Sequence, residues 1–431
     1  MSVARRGAGL VATAIACAGL TVPIGPPAYA EEGACSEIQA DTEDVDEVKA
    51  PSVPLEELGI ERATELLERE GRAPGEGAGV AVVDSGIADV ARVNEQGGLD
   101  PKSEFAKSPS PVYFHGTAVA GLIAGQPRPD GGDVGIAPAA SLYDVPVYDD
   151  VADSDDGALL GLTDAGVIDG LNRIADNPNV GQVPIRIVNV SLALRPSPRL
   201  EAAVKRLTKK GIVVVAASGN RPTSEDDPVL GDFATVPEDG EGEDAARVVF
   251  PAGYDSVVAA TSSVPSGVNA LDFIVGNSAT DIAAPTSEGV SYSLNGKSCF
   301  LPPEAATSWA AAEISGVLAL LMSAYDEPTD RTVARLLRTA SGGGDVTTRQ
   351  TGHGVAQPVE ALQRPLTFDD NGFPETSETN NTVLKAEAPR PEADVLAETR
   401  EDAVWWGLAG GGALVVALLL RPVLARRRPE R

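Results

Sequence analysis

Histidine is nearly missing from this chain: there are two in 431 residues, so any chemistry that needs an imidazole must use His115 or His353. Aromatic residues make up 4 %, which leaves Ala, Val, Ile and Leu to build a core. Basic side chains are outnumbered by acidic ones, 34 to 63, for a formal charge of -29. A field of that sign repels phosphate backbones and anionic lipid, which excludes a nucleic-acid binder and leaves solubility as the plain meaning of the acidity. There is no internal repeat. The carboxylates from Asp149 to Asp156 follow no defined calcium-loop spacing and read as a solvated loop, so neither metal nor cofactor is expected.

Long apolar runs are confined to the ends and to one internal stretch. Arg5 and Arg6, the apolar segment Gly9 to Val22 and the small-x-small triplet Ala28-Tyr29-Ala30 form an export signal, with the mature chain expected to begin near Glu31. The second run, Val404 to Leu420, has Trp405 and Trp406 at one boundary and Arg421, Arg426, Arg427, Arg428 and Arg431 beyond the other. It approaches the ~20 residues of a spanning helix when Arg421 snorkels and the stretch extends to Ala425. The arginines place that end in the cytoplasm and the body of the chain outside. Of three cysteines, Cys17 leaves with the signal. Cys35 and Cys299 remain, an even pair in an oxidising compartment, and one disulfide between them is expected; the alternative is two unrelated thiols.

Between the ends, apolar strands alternate with helical patterns. Leu55 to Glu70 predicts an amphipathic helix. Val80-Ala81-Val82-Val83 is a buried strand ending at Asp84, and Phe114-His115-Gly116-Thr117 opens a small-residue helix. Strands are expected at Ser141 to Val147, Ile185 to Leu192 and Gly211 to Ala217, with helices at Asp164 to Ala175, Leu200 to Lys210 and Thr329 to Ser341. The strand over 211–217 leads to Ser218-Gly219-Asn220, and Arg221 to Ala246 reads as an exposed acidic insertion. Thr307-Ser308-Trp309 opens the internal apolar run. Taken alone, Ser308 is a helix cap; His353, in a glycine turn, is structural.

Asp84, His115, Asn220 and Ser308 all lie at strand ends or helix starts, which converge on one edge of a doubly wound α/β sheet. Together they supply acyl transfer. A serine hydroxyl needs an adjacent base, and histidine titrates in the right range. A buried carboxylate holds the imidazole tautomer, and the Asn220 amide and the Ser308 N–H would receive an oxyanion.

The order Asp, His, Ser, with Asp84-Ser85-Gly86, His115-Gly116-Thr117, Ser218-Gly219-Asn220 and Thr307-Ser308-Trp309-Ala310, resembles the subtilisin-like serine proteases over Gly77 to Leu362. The resemblance implies a mostly parallel sheet with helices on both faces and a polypeptide substrate lying along Ser191, Leu192 and Ala193 and beside Ser218 and Gly219. Family members usually carry Gly where Ala306 stands, Pro where Ala312 stands, and often Gly where Ala193 stands. Ala306 would be strained by about 1 kcal/mol if its φ had to be positive, and Ala193 would narrow the first specificity pocket. With its two ends, the chain resembles the mycosins, membrane-anchored proteases of actinobacterial type VII secretion systems. That implies an N-terminal extension wrapped on the domain and a role in the stability of a membrane secretion complex.

The expected organisation is a signal peptide over 1–30, an N-terminal extension over 31–76, a peptidase domain over 77–364, an acidic, Pro-rich tether over 365–403, a membrane helix over 404–425 and a basic tail over 426–431. The alternative to an active protease is a catalytically impaired scaffold that keeps the fold.

Overall fold

Runs of Val, Ile and Ala too apolar to face water on either side build a central sheet. In the computed structural model, residues 33–366 are described except 44, 90–105, 107, 109, 152–153, 155–157, 238–241, 303 and 343–346, together with 397–425. The expected signal peptide, most of the tether and the basic tail lie outside them. The strands are β1 (Gly79–Asp84), β2 (Ser141–Pro146), β3 (Ile185–Val190), β4 (Val213–Ala217), β5 (Val257–Ser263) and β6 (Ile282–Pro285). They form one sheet in the order β2-β1-β3-β4-β5-β6, with every pair parallel. The order changes direction at β1, so the carboxyl ends of β1 and β3 frame a crevice, the usual place for a site in such sheets. A separate antiparallel pair, β7 (Val290–Tyr292) and β8 (Ser298–Phe300), was not expected from the sequence.

Helices cover both faces. On one side lie α4 (Asp164–Asp176) and α5 (Pro198–Thr208), packed over Val83, Val188 and Val214. On the other lie α3 (His115–Ala124) and α6 (Thr307–Ala324), over Val82, Ile187 and Val215. Seventeen of the eighteen residues of α6 are buried. Its length and apolarity would let it cross a membrane, yet 94 % of it lies inside the domain, so it is the core helix. Truncating Leu318 or Leu321, both 0 % exposed, to Ala would cost about 2–5 kcal/mol. The helices α7 (Thr329–Thr339) and α8 (Pro358–Gln363) close this face.

The amphipathic stretch at Leu55 to Glu70 is two helices, α1 (Val53–Glu57) and α2 (Ile60–Arg69). Gly59 between them has φ 66°, a left-handed turn that periodicity cannot reveal. Both are continuous with the core through Leu55, Leu58, Ile60, Ala63 and Leu67. Arg72, just beyond them, donates to the carbonyls of Ser323 and Ala324 at 2.7 and 2.6 Å, satisfying the end of α6. Cys35 and Cys299 are joined by a disulfide, which ties the extension to β8.

The chain divides into two units, Met1–Glu375 and Thr376–Arg431. In the second, α9 (Ala397–Ala425) exposes Trp405, Trp406, Leu408, Leu414, Leu418 and Leu419.

Candidate active site

The carboxyl end of β1 delivers Asp84, which is fully buried. The helix α3 begins at His115, with its imidazole against that carboxylate: Nδ1 lies 2.8 Å from Oδ1 and 2.9 Å from Oδ2. A carboxylate only accepts, so Nδ1 carries a proton, and in the neutral ring Nε2 is then the nitrogen with the lone pair. Asp84 Oδ1 also accepts from the Ser85 N–H at 2.8 Å and the Tyr148 hydroxyl at 3.0 Å. Burial, then the Asp84 charge, pushes the Tyr148 phenol well above its ordinary value, so it remains a neutral donor.

This approach depends on Gly116. A Cβ there would lie 2.5 Å from the Gly86 carbonyl oxygen and 3.2 Å from the Asp84 Cβ. Ser85 completes the joint, accepting from Gly116 N at 3.0 Å and donating to Tyr113 O at 3.0 Å. Tyr113 stacks nearly parallel to the imidazole, at 7° and 6.0 Å.

Ser308 is the second residue of α6, inside the helix rather than at its cap. Its hydroxyl donates to the Ser191 carbonyl at 3.1 Å, and His115 and Ser308 share no hydrogen bond. The neighbouring Trp309 brings its ring 4.9 Å from the imidazole, so the starts of α3 and α6 lie side by side. Ala306 has φ -135° and ψ 131°, extended backbone open to any residue. Its φ is not positive, so the condition for strain is not met. Ala312 is fully buried within an uninterrupted helix.

No side chain next to α6 caps it. The cap comes from Asn220, beyond β4. Its Oδ1 accepts from Thr307 N at 2.7 Å and Thr307 Oγ1 at 2.9 Å. Fixing Oδ1 as the acceptor from the start of α6 leaves Nδ2 available as a donor. Gly219, with φ +118°, donates to Thr307 Oγ1 at 3.2 Å. A Cβ on it would meet Val275 and Val249 at 2.9 and 3.0 Å.

Ser191, Leu192 and Ala193 continue past β3. Ser191 Oγ donates to the Ser308 carbonyl at 2.8 Å and accepts from Asn189 Nδ2 at 2.9 Å. Ser191 and Leu192 are buried and Ala193 is half-buried. Ser218 is fully buried and accepts on its carbonyl from Asn277 Nδ2 at 2.9 Å.

Sequence reasoning missed Tyr148, although it closes an apolar run, and gave Thr307 no role although it stands in the serine motif. The insertion over 221–246 is exposed over 223–228, as expected, but not at its ends. The Arg221 and Glu243 side chains at its two ends are each 4 % exposed and ion-paired at 2.8 Å. The acidic loop is not wholly solvated either. Asp149 is buried, and its carboxylate accepts from Ser108 N and Leu160 N at 2.8 Å each. His353 sits apart, donating its backbone N–H to the Asp281 carbonyl at 2.7 Å. Among the described residues, no group of three or more His, Cys, Asp or Glu is placed to hold a metal.

Residues 75–354 match the subtilase family, Peptidase S8. Mycosin-1 of Mycobacterium tuberculosis is 30 % identical over 380 residues, covering 82 % of each chain. The structure of the MycP3 protease from the type VII (ESX-3) secretion system is similar at 27 % identity and a TM-score of 0.56, covering 76 % of this chain and 92 % of that one. The serine protease MycP1, described as an essential component of the type VII (ESX-1) secretion system, is similar at 26 % identity and a TM-score of 0.57, with 77 % and 92 % covered. A parallel six-stranded sheet with a histidine held on a buried aspartate at its switch point, and these likenesses, lead to one conclusion: the chain belongs to the subtilase family of serine endopeptidases and is related to the mycosins.

Proposed function

We propose that this protein is a membrane-anchored, extracytoplasmic endopeptidase working beside a type VII secretion complex, with Asp84, His115 and Ser308 as its catalytic triad. The observation that carries the reading is the Asp84–His115 pairing at 2.8 and 2.9 Å beside the start of α6. Ser308 Oγ attacks the scissile carbonyl while His115 Nε2 takes its proton. The negative oxygen that forms is received by Asn220 Nδ2 and the Ser308 N–H. His115 then gives its proton to the leaving amine, and water releases the acyl group from Ser308 by the reverse sequence. Asp84, held against Nδ1, steadies the imidazolium. The substrate chain lies along Ser191, Leu192 and Ala193, with Ser218 and Gly219 at the first pocket.

The exposed apolar side chains of α9 support an anchor over 404–425, held in lipid and oriented by the arginines that follow. The signal over 1–30, the extension over 31–76, the peptidase domain over 77–364, the tether over 365–403 and the tail over 426–431 complete the proposed organisation.

The test is labelling of the full-length chain, purified in detergent, with a fluorophosphonate. Ser308 is expected to be modified, and Ser308→Ala and His115→Ala each to lower peptide hydrolysis by several orders of magnitude without adding. A folded chain that is never labelled overturns the reading. The scaffold reading is favoured by one observation, the Ser308 hydroxyl resting on the Ser191 carbonyl instead of on His115. It predicts secretion that survives Ser308→Ala but is lost when the whole protein is deleted.

A further inference from the structure

Asn220 is held from two sides, and only one of them is Thr307. The residue after it, Arg221, has a buried side chain paired through its Nη2 with Glu243, at 2.8 and 2.9 Å to the two carboxylate oxygens. The same guanidinium donates to the carbonyls of Leu271, Phe233, Thr235 and Ile274. Glu243 accepts in turn from Gly276 N at 2.5 Å, and its own carbonyl accepts from Arg349 Nη1 at 3.0 Å. The backbone beside them is zipped: Val275 N donates to Gly219 O at 3.2 Å, and Arg221 N to Phe273 O at 2.7 Å. Asn220 lies between those two bonds, bridged to Ile274.

A buried ion is kept only where its charge and donors are satisfied. Here the paired charges cancel, so the pair adds little field at an oxyanion. What it supplies is rigidity, because a planar guanidinium whose nitrogens bond a carboxylate and four carbonyls fixes the backbone on which Asn220 is mounted.

We propose that Arg221 and Glu243 are positioning residues for Asn220, so that these two residues of the insertion over 221–246 serve the active site. The proposal rests on the assignment of Asn220 as an oxyanion donor. Side-chain aim is set by Thr307, and backbone placement by the Arg221–Glu243 clamp.

The experiment follows fluorophosphonate labelling of Ser308 in the full-length chain, separating the maximal rate from the half-saturating concentration. Three changes are compared: Arg221→Lys, Glu243→Gln, and Arg221→Met with Glu243→Met, which removes both charges while keeping volume. The double Met variant should lower the maximal rate roughly 10–100-fold, with half-saturation within about twofold, since loss of an oxyanion donor acts on the chemical step. Arg221→Lys should fall between it and wild type. In an Asn220→Ala background the same changes should have no further effect, because they act through Asn220. Equal losses in both backgrounds, or an effect confined to half-saturation, overturn the proposal. Should the double Met variant not fold, the two single variants carry the comparison. Hydrogen exchange gives a reading independent of activity: Arg221→Lys must speed exchange over 218–221 and 273–276, and unchanged protection there overturns the clamp. Absence of labelling in the wild-type chain would instead count against the catalytic assignment, with the clamp still decided by exchange.

Discussion

Five residues beyond Ser308, on the same helix, the core holds an acid. Glu313 is fully buried, and neither carboxyl oxygen has a hydrogen-bond partner among the described residues. Burial foremost, and then the charge of Glu57, pushes its carboxyl well above the ordinary value. In the unfolded chain the group ionises near its ordinary 4.5, whereas in the folded chain it keeps its proton. Above that pH the unfolded state therefore binds fewer protons, and stability falls as pH rises, by up to about 1.4 kcal/mol per unit, until the folded group ionises as well. Asp281, pushed to about 6 chiefly by burial, acts in the same direction over a lower window, roughly from its ordinary 3.8 to 6. Glu313→Gln should flatten the decline above pH 6 and leave the Asp281 window in place. Thermal melts of both proteins at pH 4.5, 6 and 8 check this; a gap between them that does not widen with pH would refute it. The anomaly is visible in the sequence as an acid inside an apolar run, but its protonation follows only from complete burial.

At the scale of the element, the contact between α3 and β1 sets how closely the imidazole lies against Asp84. On helix propensity alone, Gly116→Ala should stabilise α3 by about 1 kcal/mol. The added Cβ would meet the Gly86 carbonyl at 2.5 Å, an overlap with backbone that typically costs 1–3 kcal/mol. Overlap wins, and α3 must retreat from Asp84. A shift approaching 1 Å costs about a hundredfold in rate, so Gly116→Ala is expected to lose roughly that much activity while remaining folded, as read by hydrolysis rate and melting temperature together. Activity within twofold of wild type would show that the helix start has slack. This joint was legible as Gly after His and Ser after Asp, because close-packed backbones demand small residues. The capping of α6 was not legible: Asn220 and Thr307 are 87 residues apart, and only the parallel order of β4 and the path into α6 bring them together.

Across the whole molecule, the extension behaves as part of the core rather than as an appendage. Ser298 Oγ donates to the Val48 carbonyl, Phe300 N to the Gly33 carbonyl and Arg128 Nη1 to the Ala50 carbonyl, at 2.8, 2.8 and 2.7 Å. The disulfide closes a separation of 264 residues. Chain entropy for so long a loop, offset by the contacts that remain, suggests that Cys35→Ser with Cys299→Ser loses about 3 kcal/mol, roughly 5–10 °C of melting temperature. A change below about 2 °C would mean that packing alone retains the extension.

Four short motifs and the alternation of buried strands with helices determined the fold class and the candidate residues Asp84, His115, Asn220 and Ser308 from sequence alone. They are local signals, and local chemistry constrains them: a carboxylate at a strand end, a small residue at a close approach, a hydroxyl at a helix start. Tertiary structure alone decided the break at Gly59, the harmless extended backbone of Ala306, the hydroxyl of Tyr148 on Asp84, and the burial of Arg221 against Glu243 in a stretch whose composition reads as exposed. Each of these depends on what lies across space, and a partner far away in sequence leaves no periodicity by which it can be read.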